Sequence, residues 1–169
     1  MLTLCGLTLV FSGLLAILQE KYGLGLLLVA IGRASDIADG WVADHTKTKS
    51  PLGEALDAGA DKLTTLATIV VFFAAHIAPL WLLTLLLLPH VIISVLAMRA
   101  HTRHYALHPS GLGKISMILV WLSLLGLMMQ KAFELNWNGS LMFGSYGTAG
   151  LSICLGLVTA LRYMKELRR

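Results

Sequence analysis

The chain has 169 residues, of which 57% are hydrophobic and only 13% are charged. Soluble domains are nearer half apolar and a quarter charged, so the composition excludes an ordinary water-soluble protein. It predicts an integral membrane protein that forms one domain over residues 1–169. The net charge of +4 does not indicate nucleic-acid binding, because the basic residues are distributed as in a membrane protein.

Six apolar segments follow one another along the chain, at about residues 2–18, 23–43, 55–77, 79–99, 114–130 and 146–163. Each is roughly the 17–25 residues that a helix needs to cross a hydrocarbon core. Several are leucine runs without the alternation of a barrel strand, and a helix satisfies its own backbone polar groups in lipid. The sequence therefore predicts an all-α, polytopic bundle of six transmembrane helices. In the connection at 44–54, Pro51 and Gly53 are expected to break any helix.

The basic residues predict the orientation of this bundle. With a cytoplasmic N-terminus, only Lys21 and Lys131 of the 13 Lys and Arg residues lie outside. Such an excess on one side is the positive-inside pattern, and it predicts that both termini are cytoplasmic. The residues on the cytoplasmic side are Arg33, Lys47, Lys49, Lys62, Arg99, Arg103, Lys114, Arg162, Lys165, Arg168 and Arg169.

Four aspartates stand at helical spacing on either side of the connection at 44–54. Asp36 and Asp39 share one face at the end of the second segment, and Asp57 and Asp61 share one face near the start of the third. Gathered carboxylates repel one another unless a cation lies among them. Oxygen ligands suit hard divalent ions, so the cluster predicts a site for two Mg²⁺ or Mn²⁺ ions, as used in displacement at phosphorus.

Another interpretation is that the same aspartates are solvated and form ordinary ion pairs with Lys47, Lys49 and Lys62. A small transporter is a further alternative, although its acids are expected nearer the middle of the bilayer. Small residues beside the acids favour a ligand site. Among them, Gly40 and Gly53 are the better candidates for ligand contact.

The full pattern is Asp36-x-x-Asp39-Gly40-x-x-Ala43-Asp44-x8-Gly53-x3-Asp57-x3-Asp61. It resembles the signature of the CDP-alcohol phosphotransferases, D-x-x-D-G-x-x-A-R-x8-G-x3-D-x3-D, at every position but one. The stretches "DAGADKL" and "PSGLGKISM" also resemble bacterial phosphatidylglycerophosphate and cardiolipin synthases. The departure is Asp44, which stands where the signature has Arg. Lys47, Lys49 and Arg33 are the candidates to supply the missing positive charge.

The resemblance implies a phosphatidyltransferase of phospholipid biosynthesis. Its donor is CDP-diacylglycerol, its product CMP, and its expected acceptor is glycerol 3-phosphate. Phosphatidylglycerol, inositol phosphate and serine are the alternative acceptors, and an impaired paralogue that binds CDP-lipid is the alternative function. The resemblance also implies a homodimer in the inner or plasma membrane, in contact with membrane lipids and with its active site facing the cytoplasm.

The resemblance also implies roles for particular residues. The two metal ions are bound by Asp36, Asp39, Asp57 and Asp61, and Asp61 is also the general base that takes the proton of the acceptor hydroxyl. The CDP moiety is bound by Asp36, Gly40, Ala43 and Gly53.

The basic loop at 98–114 lies on the same predicted side of the membrane as the acids. Arg99 and Lys114, at its two ends, are the candidates to bind a phosphate on the acceptor. The alternative is that these charges only set topology and contact anionic lipid.

The predicted topology places the connection at 131–145 outside and the one at 100–113 inside. A cysteine at position 138 should therefore react with a membrane-impermeant maleimide added to intact cells, whereas a cysteine at position 108 should react only after permeabilisation. Labelling of position 138 from the cytoplasmic side would contradict this topology.

Overall fold

The computed structural model describes residues 2–46, 51–102, 111–134 and 139–167, with side chains for 5–36, 38, 59–100, 111–134, 139 and 142–167. Within these ranges the chain forms six α-helices, so the all-helical prediction is confirmed. They are α1 (Leu2–Leu18), α2 (Tyr22–Thr46), α3 (Pro51–Ala74), α4 (Leu80–Thr102), α5 (Gly111–Ala132) and α6 (Ser140–Leu167).

The main difference from the sequence prediction is at the start of α3. The predicted break at Pro51 and Gly53 is wrong, because Pro51 begins the helix and Gly53 lies in its first turn. Proline suits the first helical position, since its φ is already helical and an N–H there has no partner within the helix. As a result, Asp57 and Asp61 lie within the body of α3.

Three helices among the described residues are long and apolar enough to cross a membrane: Leu80–Ala100, Gly111–Ala132 and Met142–Leu167. A shorter apolar stretch, Cys5–Leu18, lies in α1. Large apolar side chains are exposed along these helices, including Leu15, Leu88, Leu122 and Leu161. An exposed apolar surface of this kind is suited to lipid, and it indicates an integral membrane protein.

The chain divides into two compact units. The first unit comprises Met1–Ile77 with Lys131–Glu134, and the second comprises Ala78–Gln130 with Leu135–Arg169. Each unit has its own set of interhelical contacts.

In the first unit, α1 and α2 approach each other at glycines. A Cβ atom added to Gly32 would lie 2.8 Å from the Gly6 carbonyl oxygen, and one added to Gly13 would lie 2.9 Å from the Gly25 carbonyl oxygen. Real Cβ contacts are longer than this, so only glycine allows the two backbones to come so close. Because Gly6 pairs with Gly32 and Gly13 with Gly25, the helices are antiparallel, and the start of α1 lies beside the middle of α2.

A tight turn connects these two helices. The Lys21 N–H donates to the Ala16 carbonyl oxygen and the Glu20 N–H to that of Ile17, both at 2.9 Å. Glu20 has a φ of 62°, so the turn is a Schellman motif with a residue other than glycine in the left-handed position. Helix α3 ends in the same way, with His76 at a φ of 51°.

In the second unit, α5 and α6 are linked by serine hydroxyls. Ser116 Oγ donates to the Ser152 carbonyl oxygen and Ser152 Oγ donates to the Ser116 carbonyl oxygen, each at 2.9 Å. Seven residues further along α5, Ser123 Oγ donates to the Ser145 carbonyl oxygen at 2.9 Å. These pairs make α5 and α6 antiparallel, and they satisfy buried hydroxyls that lipid cannot satisfy.

A matched pair of glycines tests the close approach of α1 and α2. Gly13→Ala should lower the stability of the protein by about 1–3 kcal/mol, because the new methyl group meets backbone atoms that cannot easily move. Gly23→Ala, where nothing lies within 4 Å of the added Cβ, should leave stability unchanged or slightly raise it. Thermal unfolding in detergent measures both, and equal melting temperatures for the two variants would contradict the packing described.

Candidate functional site

Two of the four aspartates are brought together by one arginine. Arg33 lies three residues before Asp36 in α2, and its Nη1 donates to Asp36 Oδ2 at 3.0 Å. Its Nη2 lies 2.6 Å from Asp61 Oδ1, which belongs to α3. One guanidinium group thus joins a carboxylate from each of two helices.

These three side chains are shielded from solvent to different degrees. The side chains of Arg33 and Asp36 are 12% and 14% exposed, whereas that of Asp61 is 31% exposed. Partial burial strengthens the attraction within the cluster and makes an unbalanced charge costly. Two carboxylates thus share one guanidinium group in a partly buried setting.

The Asp36 carboxylate lies against the start of α1. A Cβ atom on Gly6 would collide with Asp36 Oδ1 and would lie 3.1 Å from the Gly32 carbonyl oxygen. The glycine therefore leaves the space that the carboxylate occupies. The close pairing of α1 with α2 thus fixes one side of the site.

A run of buried threonines follows Asp61 in α3. Thr64, Thr65 and Thr68 are at most 3% exposed, and each hydroxyl donates to a carbonyl oxygen of the preceding turn. Thr65 Oγ1 donates to the carbonyl oxygen of Asp61 itself at 2.7 Å. The buried hydroxyls are thus satisfied within the helix that carries Asp61.

The other predicted residues are placed less fully. The signature residues Asp39, Gly40, Ala43 and Asp44 belong to α2, and Gly53 and Asp57 belong to α3, with side chains outside the described set. Lys47 and Lys49 lie outside the described residues altogether.

The two predicted acceptor ligands, Arg99 in α4 and Lys114 in α5, are exposed and belong to the second unit. Of the four aspartates, the structure describes the side chains of Asp36 and Asp61 only. Among the described side chains, no three His, Cys, Asp or Glu residues lie close enough together to hold a metal ion.

The Asp36 and Asp61 pair is chemically suited to a hard metal ion. The guanidinium group between them shows that the two carboxylates can hold a cation in common. Carboxylate oxygens are the ligands that Mg²⁺ and Mn²⁺ prefer. The donor set therefore fits the predicted type of metal site.

Sequence reasoning missed Gly6 and gave Arg33 only as one of three candidates for a missing charge. Gly6 and Gly13 are seven residues apart, as are Gly25 and Gly32, and this matched spacing is the signal that could have paired the helices. The corresponding signal for Arg33 is its position one turn before Asp36.

Comparison with known proteins identifies the family. The chain matches the CDP-alcohol phosphatidyltransferase family over residues 1–160, and it belongs to that family. The resemblance predicted from the signature is thereby confirmed. Members of the family are transferases of substituted phosphate groups that act in phospholipid biosynthesis and generally depend on divalent metal ions.

One curated relative is a cardiolipin synthase (CMP-forming) of Streptomyces coelicolor (strain ATCC BAA-471 / A3(2) / M145). It is 40% identical to this chain over 68 residues, which are 40% of this chain and 32% of the relative. The matched stretch thus spans about a third of the relative's length. No solved structure matches the chain.

The contact between Gly6 and Asp36 predicts a variant that harms the site more than the fold. In Gly6→Ala the new methyl group meets the end of the Asp36 side chain, which can rotate away. The melting temperature should therefore fall by less than in Gly13→Ala. The Asp36 carboxylate is displaced, so Mn²⁺ binding should weaken by roughly tenfold or more. Titration of Mn²⁺ followed by electron paramagnetic resonance measures this. Binding equal to that of the wild type would show that Gly6 does not shape the site.

Proposed function

We propose that this protein transfers the phosphatidyl group of CDP-diacylglycerol to an alcohol and releases CMP. The observation that carries the proposal is that Asp36 and Asp61, at signature positions of two helices, both contact the guanidinium group of Arg33. Membership of the CDP-alcohol phosphatidyltransferase family supports the reaction class.

The proposed site has four metal ligands, Asp36, Asp39, Asp57 and Asp61, for two Mg²⁺ or Mn²⁺ ions. When bound, such ions neutralise the diphosphate of the donor and the charge of the departing CMP. The backbone around Gly40, Ala43 and Gly53 lines the nucleotide side, where small residues leave room for close approach. Asp36, deeper than Asp61 by the exposure of its side chain, is suited to a fixed ligand role.

Asp61 acts as the general base. Its side chain is the more exposed of the two described carboxylates, and Arg33 fixes one of its oxygens. A carboxylate oxygen of Asp61 takes the proton of the acceptor hydroxyl while the new oxygen–phosphorus bond forms and the bond to CMP breaks. The proton then passes to solvent, and the displaced CMP carries away the negative charge.

The proposed acceptor is glycerol 3-phosphate, which gives phosphatidylglycerophosphate. The exposed side chains of Arg99 and Lys114 support an acceptor that carries a phosphate. A second candidate acceptor is phosphatidylglycerol, and the similarity to a cardiolipin synthase (CMP-forming) supports this candidate. Inositol phosphate and serine are tested beside them.

We further propose that the chain forms one membrane domain over residues 1–169 with six crossings and two cytoplasmic termini. Three apolar helices and the distribution of Lys and Arg support this topology. The active site then faces the cytoplasm from the inner or plasma membrane. A homodimer is the proposed assembly.

Purified protein should release CMP from CDP-diacylglycerol only when both a divalent metal ion and the correct acceptor are present. An acceptor panel identifies the alcohol, because each one gives a different phospholipid product. No CMP release with any acceptor, in protein that still binds CDP-lipid, would favour an impaired paralogue. In that case Asp44→Arg, which restores the signature, should restore release.

Asp61→Asn should lower CMP release by at least about 10²–10³-fold, because an amide cannot take the acceptor proton. Binding of CDP-diacylglycerol should be largely kept, since Asp36 and the nucleotide side are unchanged. Glu166→Gln, at an exposed position of α6, is the control for loss of a carboxylate and should behave as the wild type. Near-normal turnover in Asp61→Asn would remove the base assignment.

A further inference from the structure

Arg33 contacts the proposed metal ligands from both helices at once. Its two terminal nitrogens lie 3.0 Å from Asp36 Oδ2 and 2.6 Å from Asp61 Oδ1. The contact with Asp36 is a charge-assisted hydrogen bond, and the contact with Asp61 is a close ion pair. The guanidinium group therefore uses oxygen atoms that a divalent ion would also need.

We propose that Arg33 is a built-in counter-cation that competes with the divalent ion for Asp36 and Asp61. It thereby sets the concentration of divalent metal at which the site fills. This inference rests on the proposed function, because it takes the two aspartates as metal ligands.

Charge and burial both favour competition. A charge of +1 placed about 3 Å from each carboxylate repels an approaching ion of charge +2. The Arg33 side chain is only 12% exposed, so the surrounding water screens that repulsion weakly. Removal of the guanidinium group takes this positive charge away from both carboxylates, so they attract a metal ion more strongly.

A purely structural role for Arg33 is the competing explanation. The close pairing of α1 and α2 is made by glycine contacts that do not involve Arg33. The buried threonine hydroxyls of α3 are satisfied by the backbone of that helix. These elements therefore have stabilising contacts of their own, whereas Arg33 also joins α2 to α3. The melting temperatures of its variants separate that structural contribution from the effect of its charge.

Titration of metal-free, purified protein with Mn²⁺ tests the inference without using catalysis. Free Mn²⁺ is counted by electron paramagnetic resonance for the wild type and for Arg33→Gln and Arg33→Met, which remove the charge. The neutral variants should bind Mn²⁺ roughly tenfold more tightly than the wild type. Arg33→Lys, the control that keeps the charge, should bind within about threefold of the wild type.

Each result decides between the possible roles. Equal or weaker Mn²⁺ binding by a folded neutral variant would overturn the competition, while leaving the proposed metal site intact. The competition would also be overturned if Arg33→Lys bound Mn²⁺ as tightly as Arg33→Met and more tightly than the wild type. Loss of the positive charge could then not be the cause of the tighter binding. If neither the wild type nor any variant binds Mn²⁺, the proposed metal site fails and the inference fails with it. Melting temperatures identify the folded variants, and the use of two neutral replacements guards against failure of either one to fold.

Discussion

The partly buried carboxylates of Asp36 in α2 and Asp61 in α3 share the guanidinium group of Arg33. The packing of the first unit makes this arrangement possible. Asp36 reaches its position only because Gly6 leaves room for it, and Gly6 is there because α1 runs antiparallel to α2 at glycine contacts. Asp61 is held on a helix whose buried face is satisfied by its own threonines. The charge cluster thus depends on close backbone packing as much as on the acids themselves.

The two carboxylates lie in an intermediate environment that is partly shielded from water. Carboxylates in a fully apolar environment are costly, whereas carboxylates in open water bind metal ions weakly and do not stay aligned. Asp36 and Asp61 lie between these limits, with side chains 14% and 31% exposed. The CDP-lipid donors of this family have a highly charged diphosphate and an apolar lipid part. A site that binds both parts needs an environment that is neither fully apolar nor fully open to water.

Much of the fold could be predicted from hydropathy alone, since each long apolar segment became one helix. The boundary of α3 could not, because proline breaks a helix in its interior but starts one at its first position, and the sequence pattern does not distinguish the two. The four aspartates could be predicted from their spacing and from the signature. Gly6 and Arg33 could not, because their importance arises from contacts between helices: a glycine's role is visible only when its neighbour is known, and an arginine near several acids has several possible partners.

Asp44 departs from the signature, and the position of Arg33 gives this departure a physical interpretation. The signature places a positive charge two turns after the first aspartate, whereas this chain has an acid there and a positive charge one turn before it. The arginine lies in contact with two of the signature carboxylates. We propose that the carboxylates of Asp36 and Asp61 together bind a divalent cation. Anomalous diffraction from crystals grown with Mn²⁺ tests this most directly. An anomalous peak is expected about 2.0–2.4 Å from carboxylate oxygens of both Asp36 and Asp61. Crystals that hold Mn²⁺ elsewhere, with both aspartates away from any metal, would contradict it.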